Sequence, residues 1–210
     1  RGDVLQAQKG GDCAMTAIVD YRAGNLTSVR LAFAAIGDTA TGTDDPAVIA
    51  EADRVVFPGV GAAKSAMENL KRAGLVDAVR SAALSGRPFL GICLGMQILF
   101  EHSEEDGGVD TLGVFKGKVR RFPDKAGFKI PEIGWNQVRE KATGNDERMK
   151  EFYFVHSYYA EIVPETAGVS EYAGVEFTAM VKRGKLWACQ FHPEKSGRVG
   201  LALLKEWLAC

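Results

Sequence analysis

The chain has no apolar run of about 18 residues, no excess of charge of either sign, and only four cysteines. Each shortage excludes a class of protein. Without such a run no helix is expected to cross a bilayer, and the first residues lack the charged, apolar, small-residue order of a secretory leader. A formal net charge of −1, from 26 basic and 27 acidic residues, creates no global field to gather nucleic acid or an anionic membrane. The cysteines at 13, 93, 189 and 210 form no CxxC pair and no dense framework, so reduced thiols in a cytoplasm are expected rather than disulfides. Internal repeats and low-complexity tracts are lacking too. A soluble, cytoplasmic protein is the expectation.

What is present fits one sizeable domain: 210 residues, 46% hydrophobic and 25% charged, enough apolar surface for a full core. Residues 1–14 are polar, Gly-rich and without hydrophobic periodicity, and are read as a flexible extension or tag. The domain is expected to start at Met15 and run to 210. From there short apolar runs alternate with helical stretches, the pattern of βαβ units on a parallel sheet. Thr16–Tyr21 reads as a buried strand, followed by a helix capped by Asn25 with Leu26, Val29, Phe33 and Ile36 on one face and Gly37 as its stop. Arg54–Phe57 is a strand running into Pro58-Gly59-Val60-Gly61 and an Ala-rich helix, with a weaker strand near Thr39–Thr43. Leu75–Ser85 reads as helix, Phe89–Ile92 as a strand ending at Cys93, and Leu94–Phe100 as helix. Beyond Glu101 the chain turns strand-rich, with runs at Gly113–Phe122, Trp135–Val138, Phe152–Tyr159, Tyr172–Val181 and Leu186–Phe191 before a helix at Ser196–Leu208. An α/β fold follows: a mostly parallel central sheet flanked by helices, with an added antiparallel layer.

Two motifs carry chemistry. In Gly91-Ile92-Cys93-Leu94-Gly95 a cysteine sits at a strand-to-helix turn with a glycine two residues to either side. Such an elbow holds the residue strained and exposed, and the helix N-terminus beyond it offers N–H groups and partial positive charge that lower a thiol pKa and hold an oxyanion. A lone cysteine at a strand end is commonly just a small core hydrophobe. The balance shifts with Gln190-Phe191-His192-Pro193-Glu194 at the end of a late apolar strand. His192 can take the thiol proton and Glu194 can orient the imidazole, completing nucleophile, base and orienter. Separately, His192 reads as a structural histidine and Glu194 as a solvated charge; together with the elbow they read as a triad. His156 and His102 have no spaced ligand set around them, so no metal is expected. The aromatic run Phe152, Tyr153, Phe154, Tyr158 and Tyr159 reads as sheet packing, since no basic groove accompanies it.

GICLGMQ together with QFHPE resembles the class I, or triad, glutamine amidotransferases. IVDYRAGNLTSV (18–29), FPGVGA (57–62), GICLGMQILFEHSEE (91–105), PEIGWN (131–136), YFVHSYY (153–159), GVEFTAMV (174–181) and QFHPEKSG (190–197) narrow the resemblance to the glutaminase subunits of imidazole glycerol phosphate synthases. Three positions depart from that pattern: Arg22 where glycine is usual, Ala62 where a bulky residue is common, and Glu132 before IGWN. The resemblance implies a flavodoxin-like class I amidotransferase fold and a catalytic set of Cys93, His192 and Glu194. It implies an oxyanion hole from Gly59, Val60 and Leu94, and glutamine binding by Gln97, Ser157 and Tyr158, with Glu105 a further candidate for the ammonium group. Asn25 and Lys195 would lie near a partner interface. No cofactor is implied. The partner implied is a (β/α)8-barrel cyclase, which takes the ammonia and yields imidazole glycerol phosphate and an aminoimidazole carboxamide ribotide in histidine biosynthesis.

Two other readings compete. A glutaminase subunit of a pyridoxal phosphate, anthranilate or guanylate system is disfavoured by DYRAGN, PEIGWN and YFVHSYY. A non-catalytic regulatory module on the same fold is disfavoured by the intact His192-Pro193-Glu194.

Overall fold

A computed structural model describes residues 14–22, 24–140 and 148–210; of Arg148 it describes the backbone alone. The expected extension falls outside these residues apart from Ala14; the Met15 N–H donates to Asp53 (2.7 Å) and its carbonyl accepts from the Arg54 N–H (3.1 Å).

The first half alternates as its periodicity requires. Strand β1 (Thr16–Val19), helix α1 (Leu26–Ala35), β2 (Ala40–Thr43), α2 (Pro46–Glu51), β3 (Arg54–Gly59), α3 (Ala63–Arg72), α4 (Val76–Leu84), β4 (Phe89–Cys93) and the single-turn α5 (Leu94–Gln97) follow in order. The strand-rich half supplies β5 (His102–Ser103), β6 (Val109–Asp110), β7 (Lys118–Arg121), β8 (Glu132–Glu140), β9 (Arg148–His156), β10 (Tyr158–Ala160), β11 (Thr166–Tyr172), β12 (Val175–Arg183) and β13 (Leu186–Cys189), and α6 (Gly197–Leu208) closes the chain.

Strands β2, β1, β3, β4 and β13 lie side by side and parallel. β12 joins β13 antiparallel and extends the sheet to β10, β7, β5 and β6, while β11, β8 and β9 branch from it as antiparallel ribbons. The antiparallel part is therefore continuous with the central sheet. Because side chains alternate across a strand and both faces are covered, β1, β3, β4 and β13 are buried almost throughout, whereas the edge strand β2 is largely exposed. On one face Ala17, Val19, Val55, Phe57 and Phe89 pack with α2, α3 and α4; on the other Ile18, Val56, Leu90 and Ile92 pack with α1 and α6. Asn25 caps α1 as its sequence position demands, accepting from the Ser28 N–H at 3.2 Å.

Several segments differ from their sequence expectation for local reasons. Leu94–Phe100 is helical only through Gln97; Ile98, Leu99 and Phe100 are core residues on a tight turn. Gly113–Phe122 is strand only at Lys118–Arg121, with Val114 and Phe115 buried from irregular backbone. Phe152–Tyr159 divides at Ser157 into β9 and β10, and Tyr172–Val181 is a hairpin that turns at Ala173 and Gly174, both with positive φ. No helix among the described residues is long and apolar enough to cross a membrane.

Candidate active site

Three adjacent parallel strands bring the two motifs together. β3 ends at Gly59, which is paired with Cys93 at the end of β4, and β13 leads through Gln190 to His192. The carboxyl ends of parallel strands are where α/β sheets open a crevice. Here the crevice is a cavity of about 290 Å³ whose lining includes Val60, Gly61, Cys93, Leu94, Gln97 and His192. Glu105, Val155, Ser157, Tyr158 and Lys195 complete much of its wall.

The elbow is strained as its glycines suggest. Cys93 has φ 53 and ψ −111, a conformation that residues with a Cβ rarely adopt, and it directly precedes α5. The turn closes only because its neighbours lack side chains. A Cβ on Gly95 would strike the Phe57 carbonyl oxygen, and one on Gly91 would lie 3.0 Å from both Ala188 Cβ and the Gly95 carbonyl oxygen.

His192 is fixed by its own segment. Its N–H donates to the Tyr153 carbonyl (2.9 Å), its carbonyl accepts from the Ser196 hydroxyl (2.6 Å), and that hydroxyl accepts from the Tyr153 N–H (3.0 Å). The ring Nδ1 is 2.8 Å from Glu194 Oε1. A carboxylate accepts, so Nδ1 carries the proton and Nε2 is left to the thiol. Burial alone would lower the His192 pKa. The charge of Cys93 and a hydrogen bond to it, followed by the Glu194 bond and charge, outweigh burial and raise it from 6.5 to about 10. The ring is therefore suited to take and hold a proton beside Cys93, the base in a set of nucleophile, base and orienter.

The thiol has two further neighbours. Cys93 Sγ is 3.8 Å from the Val155 carbonyl and 3.6 Å from Gln190 Nε2. Gln190 Oε1 in turn accepts from Gln97 Nε2 (2.9 Å), which also donates to the Tyr158 carbonyl (2.8 Å). Gln97 is thus a buried, doubly anchored wall residue rather than an exposed helix position. Gln190 received no role from sequence, although its spacing of two residues from His192 was the available signal.

The other expected residues fall as follows. Gly59 and Val60 pass beside Cys93, and Leu94 starts α5, so Val60 and Leu94 line one cavity. Ser157 and Tyr158 line the same cavity. Glu105 is half-buried and caps α3, its Oε2 accepting from the Ala63 N–H at 2.6 Å, because Ala62 at the cap position has no polar side chain. Burial raises the Glu105 pKa, the Ala63 bond opposes this, and the Asp106 charge adds to the rise. Lys195 borders the cavity from an exposed position, whereas Asn25 is exposed at the start of α1 and does not line it.

The two remaining histidines occupy separate surroundings. His102 Nδ1 pairs with Asp110 on β6 at 2.8 Å. His156 is buried beside the cavity, with Nδ1 donating to the Tyr158 carbonyl at 2.8 Å. Its Nε2 lies 2.9 Å from Glu132 Oε2 without a directed hydrogen bond between them. Glu132, one of the three departures, is therefore a buried partner of His156. Arg22, another, has φ 62, in the left-handed region where glycine is at ease.

The family model Glutamine amidotransferase class-I matches residues 20–209. A protein of Moorella thermoacetica named imidazole glycerol phosphate synthase subunit HisH is 49% identical over 199 residues, covering 91% of this chain and 92% of that protein. The Acinetobacter baylyi protein of the same name is 44% identical over 199 residues, covering 91% and 96%. Among solved structures, one titled as a glutamine amidotransferase superposes with a TM-score of 0.71 at 18% identity, covering 92% of this chain and 97% of that one. The PurLQS structure from Thermotoga maritima gives a TM-score of 0.70 at 17% identity, covering 94% and 99%. At these identities the superpositions speak for fold alone.

Proposed function

Because the chain belongs to the class-I glutamine amidotransferases, and within them to the glutaminase subunits of imidazole glycerol phosphate synthase, we propose that Cys93, His192 and Glu194 hydrolyse glutamine and that the ammonia passes to a cyclase partner. The observation that carries this is the juxtaposition, in one cavity, of a strained Cys93 with a His192 whose Nδ1 lies 2.8 Å from Glu194 Oε1.

The Cys93 thiolate attacks the side-chain amide carbon of glutamine, and the carbonyl electrons move to oxygen. The Val60 and Leu94 N–H groups hold that oxyanion, with Gly59 giving the strand its close approach. Collapse of the intermediate expels ammonia, protonated by the His192 imidazolium, and leaves a γ-glutamyl thioester. Water gives a proton to His192, attacks the thioester, and releases glutamate with the thiolate restored. Gln97, Ser157 and Tyr158 position the amino-acid end of the substrate, with Glu105 available for its ammonium group. Asn25 and Lys195 are assigned to the partner side. That partner, by relationship, is the (β/α)8-barrel cyclase that makes imidazole glycerol phosphate and the ribotide.

Control is assigned to Pro58-Gly59-Val60-Gly61. Gly59 on one side of Val60 and Gly61 on the other carry no Cβ to resist a turn of the Gly59–Val60 peptide, which would present either its carbonyl or its N–H to the cavity. One missing oxyanion donor costs on the order of 10²–10³ in rate, enough to keep an unpartnered subunit nearly silent.

Cys93→Ala in the assembled complex tests the assignment. Glutamine-dependent turnover is expected to vanish while turnover with added ammonium salt persists, because only the ammonia source is removed. Glutamine-dependent turnover surviving in this variant would exclude Cys93 as the nucleophile.

A further inference from the structure

Tyr21 follows β1 and is 1% exposed, its ring lying 5.5 Å from Phe57 in the core. Its hydroxyl has no hydrogen-bond partner among the described residues. Buried hydroxyls are ordinarily satisfied, and leaving one unbonded is a cost that phenylalanine would avoid. The position of that hydroxyl is specific. It lies against Gly59 on the side where a side chain would project, and a Cβ there would also come within 2.9 Å of Leu94 Cβ and 3.0 Å of the Gly95 nitrogen. Tyr21 does not line the cavity, so it stands behind the Gly59–Val60 strand.

We propose that Tyr21 is a positioning residue for the oxyanion strand: its hydroxyl accepts no partner here and donates to the Gly59 carbonyl once the Gly59–Val60 peptide turns its N–H into the cavity. The two halves of a peptide point in opposite directions. Turning the Val60 N–H toward substrate therefore sends the Gly59 carbonyl inward, to the side that Tyr21 occupies. Burying that carbonyl with too few donors opposes the active orientation, and the Tyr21 hydroxyl would supply one. Burial, and after it the nearby Cys93 charge, hold the phenol above its ordinary pKa, so it stays protonated and able to donate. The Arg22 N–H bonds Asp20 Oδ1 at 2.9 Å and closes the turn that aims Tyr21 inward.

This assignment rests on the glutaminase reading and on the peptide rotation, and the experiment separates their failures. Tyr21→Phe is assayed as the complex with the cyclase partner, with the partner's nucleotide substrate present as the stimulus, together with thermal unfolding. Loss of one neutral hydrogen bond in the active orientation is expected to lower stimulated kcat about fivefold. KM for glutamine should stay unchanged and the melting temperature should be equal or higher, because the hydroxyl bonds nothing in the resting form. An unchanged stimulated kcat overturns the role of Tyr21. A lower melting temperature with kcat and KM altered together also overturns it, since that marks a structural tyrosine. A wild-type complex that fails to hydrolyse glutamine overturns the glutaminase reading itself.

Discussion

Replacing Cys93 with glycine and, separately, with alanine asks whether the elbow is as strained as its dihedrals imply. At an ordinary buried position glycine is the less stable of the two, by about 0.4–1 kcal/mol of unfolded-chain entropy and about 0.8 kcal/mol for one buried CH₂-sized group. Cys93 is not at an ordinary position. With φ 53 and ψ −111 it occupies the quadrant of the first central residue of a type II′ turn, which glycine dominates. Holding a residue with a Cβ in such a region costs about 1–3 kcal/mol, and this conformation lies outside even the left-handed helical basin, toward the upper end. The strain then outweighs the glycine penalty by about 1 kcal/mol, placing Cys93→Gly above Cys93→Ala in melting temperature by about 2–4 °C for a chain of this size. Calorimetry of the two variants under reducing conditions reads the difference directly, free of any contribution from the thiol. A Cys93→Ala protein that melts higher than Cys93→Gly would refute the strain and the reason given for the flanking glycines.

Two further outcomes follow from His192. Its folded-state pKa is raised from 6.5 to about 10, so its contribution to stability is complete below about 6.5 and is lost as the pH climbs through 10. Urea unfolding over that window should show falling stability, with a shallower fall in Cys93→Ala because the thiol supplies the largest upward influences; parallel curves would contradict the pairing. Glu194→Gln should reduce glutamine-dependent kcat less than His192→Ala does, since the 2.8 Å contact to Nδ1 orients a base that alanine removes altogether. Equal, negligible losses would dismantle the triad.

The parallel core and the two motifs were legible because their signals are local. Two-faced apolar runs such as Val55-Val56-Phe57 mark buried strands, and the glycines around Cys93 mark the elbow. What escaped depended on backbone or on distant partners. The β11–β12 hairpin was read as part of one strand because its turn places Ala173 at φ 51, where asparagine or glycine would have announced it. Phe115 looks like a strand residue but is buried from a loop, so hydrophobicity reported burial without conformation. Within the site, Cys93, His192 and Glu194 could be named from motif chemistry. Gln190 bridging Gln97 and Cys93, Glu132 beside His156, and Glu105 capping α3 are contacts across 93, 24 and 42 residues that no local pattern encodes. Tyr21 is indistinguishable in sequence from a buried strand-end residue, because its meaning lies in a hydroxyl without a partner among the described residues.

The central claim, that Cys93 is the nucleophile for glutamine, is tested most directly by a glutamine-analogue electrophile that alkylates the attacking thiol. Mass spectrometry of the complex locates the adduct while residual glutaminase activity is followed in the same samples. Cys189 is buried, with its pKa raised well above normal by burial and by the Glu194 and Cys93 charges, and Cys210 is exposed and outside the cavity, so the described thiols are chemically distinct. The result expected is one adduct, on Cys93, forming in step with loss of activity and prevented by excess glutamine. Full inactivation with Cys93 unmodified, or complete modification of Cys93 with activity retained, would contradict it.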